Sequence, residues 1–367
     1  MKRAQKATKE NQPSNVALYR KYRPHSFNEV EGQDQVVKVL ESSIRAEKVS
    51  HAYLFVGTRG TGKTSVARIF ASEIGVSEND LYEIDAASNR GIEDIKTLRE
   101  GARTLPFDSK YKIYIIDEVH MLSKDAWGAL LKILEEPPRH VIFILATTEL
   151  HKVPETIISR CQVFNFRKPN EVILKKVILD VSKKEGLEIE ADGAELMASL
   201  GDGSFRDTLG VLQKVINIYL NESSLQKNKN VKKISREDVE KITGAPKATL
   251  VNDFLKALVS KNIEEGITII KKASSENLDM KLYIKLIIQK FRMALILRHA
   301  PNLHTEMGED FGENDISFLK DLIKEDQTGV IRSSSLSILL ESYQNIDRAF
   351  ISELPLELGL IKILSKE

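Results

Sequence analysis

The sequence predicts an α/β fold in which helices cover a parallel sheet, followed by all-helical units. Three observations carry that prediction. Between Ala52 and Phe166 five short β-rich runs alternate with helical patterns. Strands separated by helices of about 10 to 15 residues build βαβ units on a parallel sheet. The glycine-rich turn "GTRGTGKT" joins the first of those strands to the first of those helices. After "RKPN" at 167–170 the strand runs cease and only helical periodicity remains.

The elements follow in order. "AYLFVG", "LYEID", "KIYIID", "VIFILATT" and "CQVFNF" are the strands. Between them the spacing predicts helices over about 63–74, 92–104 and 125–135, the last opened by Ser123 or Lys124, and a short one with Pro154 near its first turn. Pro137-Pro138 stops the 125–135 helix. Further helices are expected at about 171–186, 191–200, 206–219 and 236–243. Ser235 with Asp238 three residues on reads as a capping box for the last of these. The polar "NESSLQKNKNVKK" before it reads as a loop, and "GAPK" at 244–247 as a break. Amphipathic stretches such as "MKLYIKLIIQKFRMALILRH" then suit a helical bundle. The domain expectation is a disordered tail over 1–17, an α/β domain over 18–168, a small helical domain over 169–244 and a helical bundle over 245–367.

Composition narrows the function classes. A chain of 367 residues exceeds one ordinary domain, and 42% hydrophobic with 29% charged residues fits a globular protein. The 54 Lys+Arg nearly balance 53 Asp+Glu, so any polyanion must be held by a local arrangement of charge. One cysteine, Cys161, excludes an internal disulfide and a multi-cysteine zinc site and fits a reducing cytoplasm; His51, His120 and His140 show no ligand spacing. No run of about 18 apolar residues predicts a membrane span. The start "MKRAQKATKENQPSN" is basic without the apolar run of a signal peptide.

Residues 57–64 match G-x-x-x-x-G-K-[ST] in full, after a strand and before a helix, which is the context a phosphate-binding P-loop requires. Gly57, Gly60 and Gly62 let the backbone of Thr58, Arg59 and Thr61 turn its N–H groups toward phosphate oxygens beside a helix N-terminus. Lys63 then meets the β- and γ-phosphates and Thr64 holds Mg²⁺. The strand "KIYIID" ends in Asp117-Glu118, suited to Mg²⁺ through water and to orienting an attacking water as base. Two acids in series predict hydrolysis rather than binding alone. Thr147 and Thr148 end the next strand, where a hydroxyl can sense a γ-phosphate, and Arg206 in "GDGSFRD" opens a later helix from which it can reach back to the nucleotide. In "IISRCQVFNF" either Arg160 or Cys161 could carry function, although the sequence offers no Cys-His pattern to activate the thiol.

Seven stretches in order extend the match: "YRKYRPHSFNEVEGQ", "HAYLFVGTRGTGKTSVARIFA", "EIDAASNRGIEDI", "YIIDEVHMLSKDAWGALLKILEEPP", "FILATTE", "TIISRCQVFNF" and "GSFRD". With these the chain resembles the AAA+ ATPases and, more closely, the gamma/tau family of subunits of the bacterial DNA polymerase III clamp loader, from about Leu18 onward. The resemblance implies an ATPase with ATP and Mg²⁺ that helps load a sliding clamp onto primer–template DNA. It implies partners as well: further copies of itself and delta- and delta-prime-like subunits. Residues 19–33, with Tyr19 and Arg20, would flank the adenine pocket. Thr148 would be the first sensor and Arg206 the second. Arg160 would be an arginine finger supplied to a neighbouring subunit, and 245–367 the collar that closes a five-subunit ring. Two departures stand out. Only "GVSEND" occupies the place of the family's four-cysteine zinc module, so no zinc is expected, and the chain ends with the collar, as in a short gamma-like form. Glu31 also stands where the family commonly has an apolar residue. DNA contact would come from Arg90, Arg99 and Lys124. Residues 246–367, with 16 Lys+Arg against 18 Asp+Glu, do not suit a basic DNA-reading terminus, and the intact P-loop speaks against a non-hydrolysing scaffold subunit.

Overall fold

In the computed structural model the described residues are 16–225, 233–300 and 313–365. The expected tail lies outside them up to residue 15, as does the polar loop at 226–232. The chain divides into two compact units, Met1–Pro169 with Gly203–Gln213, and Asn170–Asp202 with Lys214–Glu367.

In the first unit the strands are β1 (Ala52–Val56), β2 (Leu81–Asp85), β3 (Lys112–Asp117), β4 (Val141–Thr147) and β5 (Gln162–Asn165). They form one parallel sheet in the order β2-β3-β4-β1-β5. The central strands β1 and β4 are apolar and buried almost throughout, as parallel strands covered on both faces must be, whereas the edge strand β5 is mostly exposed. Helices α1 (Leu18–Lys21), α2 (Asp34–Arg45), α3 (Lys63–Glu73), α4 (Ile92–Arg103), α5 (Lys124–Glu135) and α6 (Glu155–Ile158) complete the βαβ pattern. Alternation along the strands sorts side chains into two cores. Leu54, Ile116 and Leu145 pack against Ile95 and Leu98 of α4 and Leu130 and Ile133 of α5. Tyr53, Phe55, Ile115 and Ile144 pack against Leu40 of α2 and Val66 and Phe70 of α3. Each fully buried side chain of this size contributes about 1.5–3 kcal/mol. Ser123, rather than Lys124, caps α5 by accepting from the Ala126 N–H.

The second unit is helical: α7 (Glu171–Lys184), α8 (Ala191–Leu200), α10 (Arg236–Thr243), α11 (Ala248–Val259), α12 (Ile263–Ser275), α13 (Met280–His299), α14 (Glu313–Glu325), α15 (Ser333–Asn345) and α16 (Leu354–Leu364). Helix α9 (Phe205–Leu225) starts in the first unit and runs past residue 219, where the sequence predicted its end. Continuing a formed helix costs little per residue, so a polar composition alone does not stop it. The capping box of Ser235 and Asp238 is present.

Charge is buried in this unit. Lys290, 5% exposed, donates to Asp315 Oδ1 at 2.7 Å and Asn252 Oδ1 at 2.8 Å. Glu195 lies 3.6 Å from Lys175 Nζ, yet burial pushes its carboxyl up to about 7, with Lys175 and Arg236 opposing the shift and Asp315 and Asp192 adding to it. A carboxyl raised in the folded state favours its protonated form there. Its contribution to stability is therefore full below about pH 4.5 and is lost as pH rises through about 7. Glu195→Gln should raise stability by roughly 1–3 kcal/mol at pH 8 and change it little at pH 5. Thermal melts at the two pH values check this, and an equal shift at both would contradict it.

Candidate active site

The loop from Gly57 to Thr64 leaves β1 and enters α3, and its glycines are required by close approaches. A Cβ on Gly57 would come within 2.7 Å of the Phe166 carbonyl oxygen. Gly60, at φ +76°, lies against Ser204, whose Oγ would stand 1.9 Å from an added Cβ, and its carbonyl accepts from the Phe205 N–H at 3.0 Å. Gly62, at φ +100°, is the residue that turns the backbone into α3. Thr58 and Arg59 are exposed at the crest, while Thr61 is buried with its hydroxyl donating to the Thr58 carbonyl. Gln33 Nε2 donates to the carbonyls of Arg167 at 2.7 Å and Thr61 at 3.4 Å, and its Oε1 accepts from the Arg167 N–H. That one buried amide ties the loop to the segment after β5.

Lys63 is 5% exposed and donates from Nζ to the carbonyls of Gly57 and Thr58 at 2.7 and 3.0 Å. Burial lowers its pKa, opposed by Glu118 and Asp117 and reinforced by Arg206. Thr64 Oγ1 donates to Asp117 Oδ2 at 2.8 Å, so the two oxygens predicted to serve one hard cation already adjoin. Asp117 Oδ1 accepts from the Glu118 N–H at 2.9 Å. Glu118 itself adopts φ +48°, a left-handed conformation that a non-glycine residue holds only when its surroundings fix it. Its Oε2 accepts from Thr148 Oγ1 at 3.0 Å, which couples the predicted base to the predicted sensor. Thr147 is buried and bonds to His120 instead.

Arg206 reaches the same region. It lies in the part of α9 that belongs to the first unit, with its guanidinium 5.7 Å from the Tyr19 ring centroid, a cation–π separation. Leu18 N–H donates to Gln213 Oε1 at 2.8 Å, holding α1 against that stretch. Arg20 lies 5.8 Å from the Tyr19 ring. Arg23 donates to Ser65 Oγ at 3.0 Å; burial, then Arg68, lowers its pKa, with Arg206 adding to the shift and Glu83 and Asp117 opposing it. Lys63, Arg23 and Arg206 thus set a positive field beside Asp117.

Arg160 is not brought to the loop. It follows α6, and its guanidinium donates to the Thr156 carbonyl at 2.7 Å, Ser159 Oγ at 3.2 Å and Glu135 Oε1 at 2.8 Å. It is 35% exposed. Burial pushes the Cys161 thiol up to about 12, which leaves it protonated and inert at neutral pH. Arg90 and Lys124 are exposed, and the Ser123 N–H donates to the Arg90 carbonyl, so the two sit at adjoining turns. The Arg99 Nε is buried without a hydrogen-bond partner. Among the described residues no group of three or more His, Cys, Asp or Glu could hold a metal ion. The sequence did not single out Gln33, Arg23, His120 or Ser204. All four stand within motifs already quoted.

The family profile described as "DNA polymerase III, delta subunit" matches residues 32–90 and 76–170. Thermotoga maritima RuvB, a Holliday junction branch migration motor, has the same fold at a TM-score of 0.50 and 22% identity, over 70% of this chain and 86% of that one. The fold is that of a P-loop α/β domain with helical additions. DNA polymerase III subunit tau of Bacillus subtilis is 39% identical over 308 residues, 78% of this chain and 53% of that protein. The gamma subunit of Buchnera aphidicola subsp. Baizongia pistaciae is 34% identical over 78% of this chain and 80% of its own length. That of subsp. Schizaphis graminum is 31% identical over 82% and 85%. The chain belongs to the gamma/tau family of DNA polymerase III subunits. It spans about half the length of the Bacillus relative.

The contact between Gly60 and Ser204 makes a test of this geometry. Gly60→Ala should cost about 1–3 kcal/mol of stability through a strained φ and the collision with Ser204. Adding Ser204→Gly should recover only the steric part, which urea melts of the single and double variants measure.

Proposed function

We propose that this chain is an ATP-hydrolysing motor subunit of the DNA polymerase III clamp loader, using ATP with Mg²⁺ to load a sliding clamp onto primer–template DNA. The observation that carries this reading is the continuous chain Thr64–Asp117–Glu118–Thr148 beside Lys63. Mg²⁺, when bound, would offset the charge developing on the phosphate oxygens. Thr64 and Asp117 supply the hard oxygen ligands it prefers. Gly57, Thr58, Arg59, Gly60, Thr61 and Gly62 cradle the phosphates, Lys63 neutralises them, and Tyr19 and Arg20 flank the base. Glu118 orients the attacking water and takes its proton. Thr148 and Arg206 read the γ-phosphate. Arg160 acts on the ATP of a neighbouring subunit, in keeping with its exposure and its separate set of contacts.

In this reading the AAA+ domain is 18–168, the lid 169–244 and the collar 245–367. Leu340, Leu354, Leu358 and Ile361 of α15 and α16, with Phe350 and Ile351 between them, are exposed apolar side chains that further copies or delta- and delta-prime-like subunits would cover. Arg90 and Lys124 suit DNA phosphates, a contact that positions duplex without reading sequence. The protein would work in the cytoplasm. The delta-subunit profile favours a second reading, a scaffold that binds without hydrolysing. Lys63, Thr64, Asp117 and Glu118 speak against it, since a scaffold has no use for a base.

Lys63→Ala should abolish ATP binding. Glu118→Gln should bind ATP and lose turnover, which equilibrium binding and phosphate release measure; a Glu118→Gln chain with wild-type turnover would refute the assignment. Arg160→Ala should keep nucleotide binding and lower hydrolysis in the assembly by about 10³-fold or more. In mixed assemblies a wild-type neighbour should restore turnover at the variant's own site, whereas a strictly self-inflicted defect would show that the arginine does not act between subunits.

A further inference from the structure

The left-handed Glu118 is followed at once by a 3₁₀ turn, Val119–Met121, closed by the Met121 N–H donating to the Glu118 carbonyl at 2.9 Å. This reversal returns the His120 side chain to the carboxyl end of β4, where it is 6% exposed. Its Nδ1 lies 3.0 Å from Thr147 Oγ1 and 3.4 Å from Glu118 Oε2, and its Nε2 lies 3.3 Å from Glu149 Oε1. Each ring nitrogen thus faces a carboxylate, Nε2 that of Glu149 and Nδ1 that of Glu118, and Nδ1 also meets the Thr147 hydroxyl. The remaining lone pairs of that hydroxyl take the Glu149 N–H at 3.0 Å. Glu149 is in turn paired with Lys152 and faces His151.

The ring therefore touches the residues on both sides of Thr148, and Thr148 is the residue that holds Glu118 Oε2. We propose that His120 is a positioning residue for hydrolysis, fixing the Thr147–Thr148–Glu149 segment and the Glu118 turn relative to one another so that the base carboxylate and the sensor hydroxyl keep one geometry. This rests on the ATPase reading above. The role is consistent with the backbone. A left-handed Glu118 stores strain that relaxes unless something beyond the turn holds it, and the described contacts that do so are Thr148 on its carboxylate and His120 two residues on. A ring that fills space and satisfies its own polar atoms would also be buried here, so the test must separate positioning from packing.

His120→Ala and the closer mimic His120→Gln, whose amide can reach toward Glu149, are compared with wild type and Glu118→Gln. The full chain is used, with steady-state ATP hydrolysis, binding of a fluorescent ATP analogue and thermal melting measured on each. Misplacing a reacting group by about 1 Å costs on the order of 10²-fold, so His120→Ala should lower kcat by roughly ten- to a hundredfold while the analogue's Kd stays within about twofold. His120→Gln should recover part of the loss. Combined with Thr148→Val, His120→Ala should add little, because both changes release the same carboxylate. Wild-type kcat in His120→Ala, additive losses in the double variant, or kcat, affinity and melting temperature falling together in both histidine variants would overturn the inference. A wild-type chain that turns over beside an inactive Glu118→Gln separates those outcomes from failure of the ATPase reading. Absence of turnover in the wild-type assembly would sink both.

Discussion

The parallel pairing of β1 and β3 with the fully buried β4 is the constraint on which the site depends. Register places Val56 opposite Thr147 and Ile116 opposite Leu145, so the phosphate loop, the paired acids and the two threonines all leave the sheet at one edge. A one-residue slip would turn each strand's side chains to the other face and exchange the contents of the two cores. Tyr53 and Phe55 on one face and Leu54 on the other make that slip expensive. The geometry of the site is thus secured by apolar packing on both faces of the sheet.

With net charge near zero, the chain concentrates its positive field locally. Lys63, Arg23 and Arg206 converge on the region of Asp117 from a loop helix, the N-terminal motif and a segment some 140 residues downstream. Burial depresses the first two, because a cation withdrawn from water loses hydration that neighbouring carboxylates only partly replace. Such a site strengthens its attraction for a polyanion through low dielectric rather than through number of charges. Arg160 differs in kind, partly exposed and held by Glu135, an arrangement from which it can leave at little cost.

Much of this was legible in the sequence, for identifiable reasons. Strand and helix positions followed from apolar periodicity, and the loop and acids from short-range spacing that chemistry fixes. Contacts between distant polar residues were not legible. Gln33 bonds to Arg167 across 134 positions, and nothing in either neighbourhood signals the other. The backbone of Glu118 gave no sign either, since left-handed conformations are usually announced by glycine or asparagine. His120 looked like an unmatched histidine because its partners lie on another strand. Helix α9 outran its predicted end because polar residues permit helix as readily as loop.

The first unit is not one stretch of chain. It leaves at Pro169, makes two helices of the other unit, and resumes at Gly203 to supply Ser204, Arg206 and Gln213. During synthesis the sheet and phosphate loop can therefore assemble before the residues that close against Gly60 and Tyr19 exist. At about 5–20 residues per second that interval lasts on the order of seconds, far longer than collapse of the sheet. The nascent protein thus passes through a stage in which the loop is built but unbuttressed, and ordering of the loop is linked to emergence of the helices that follow it.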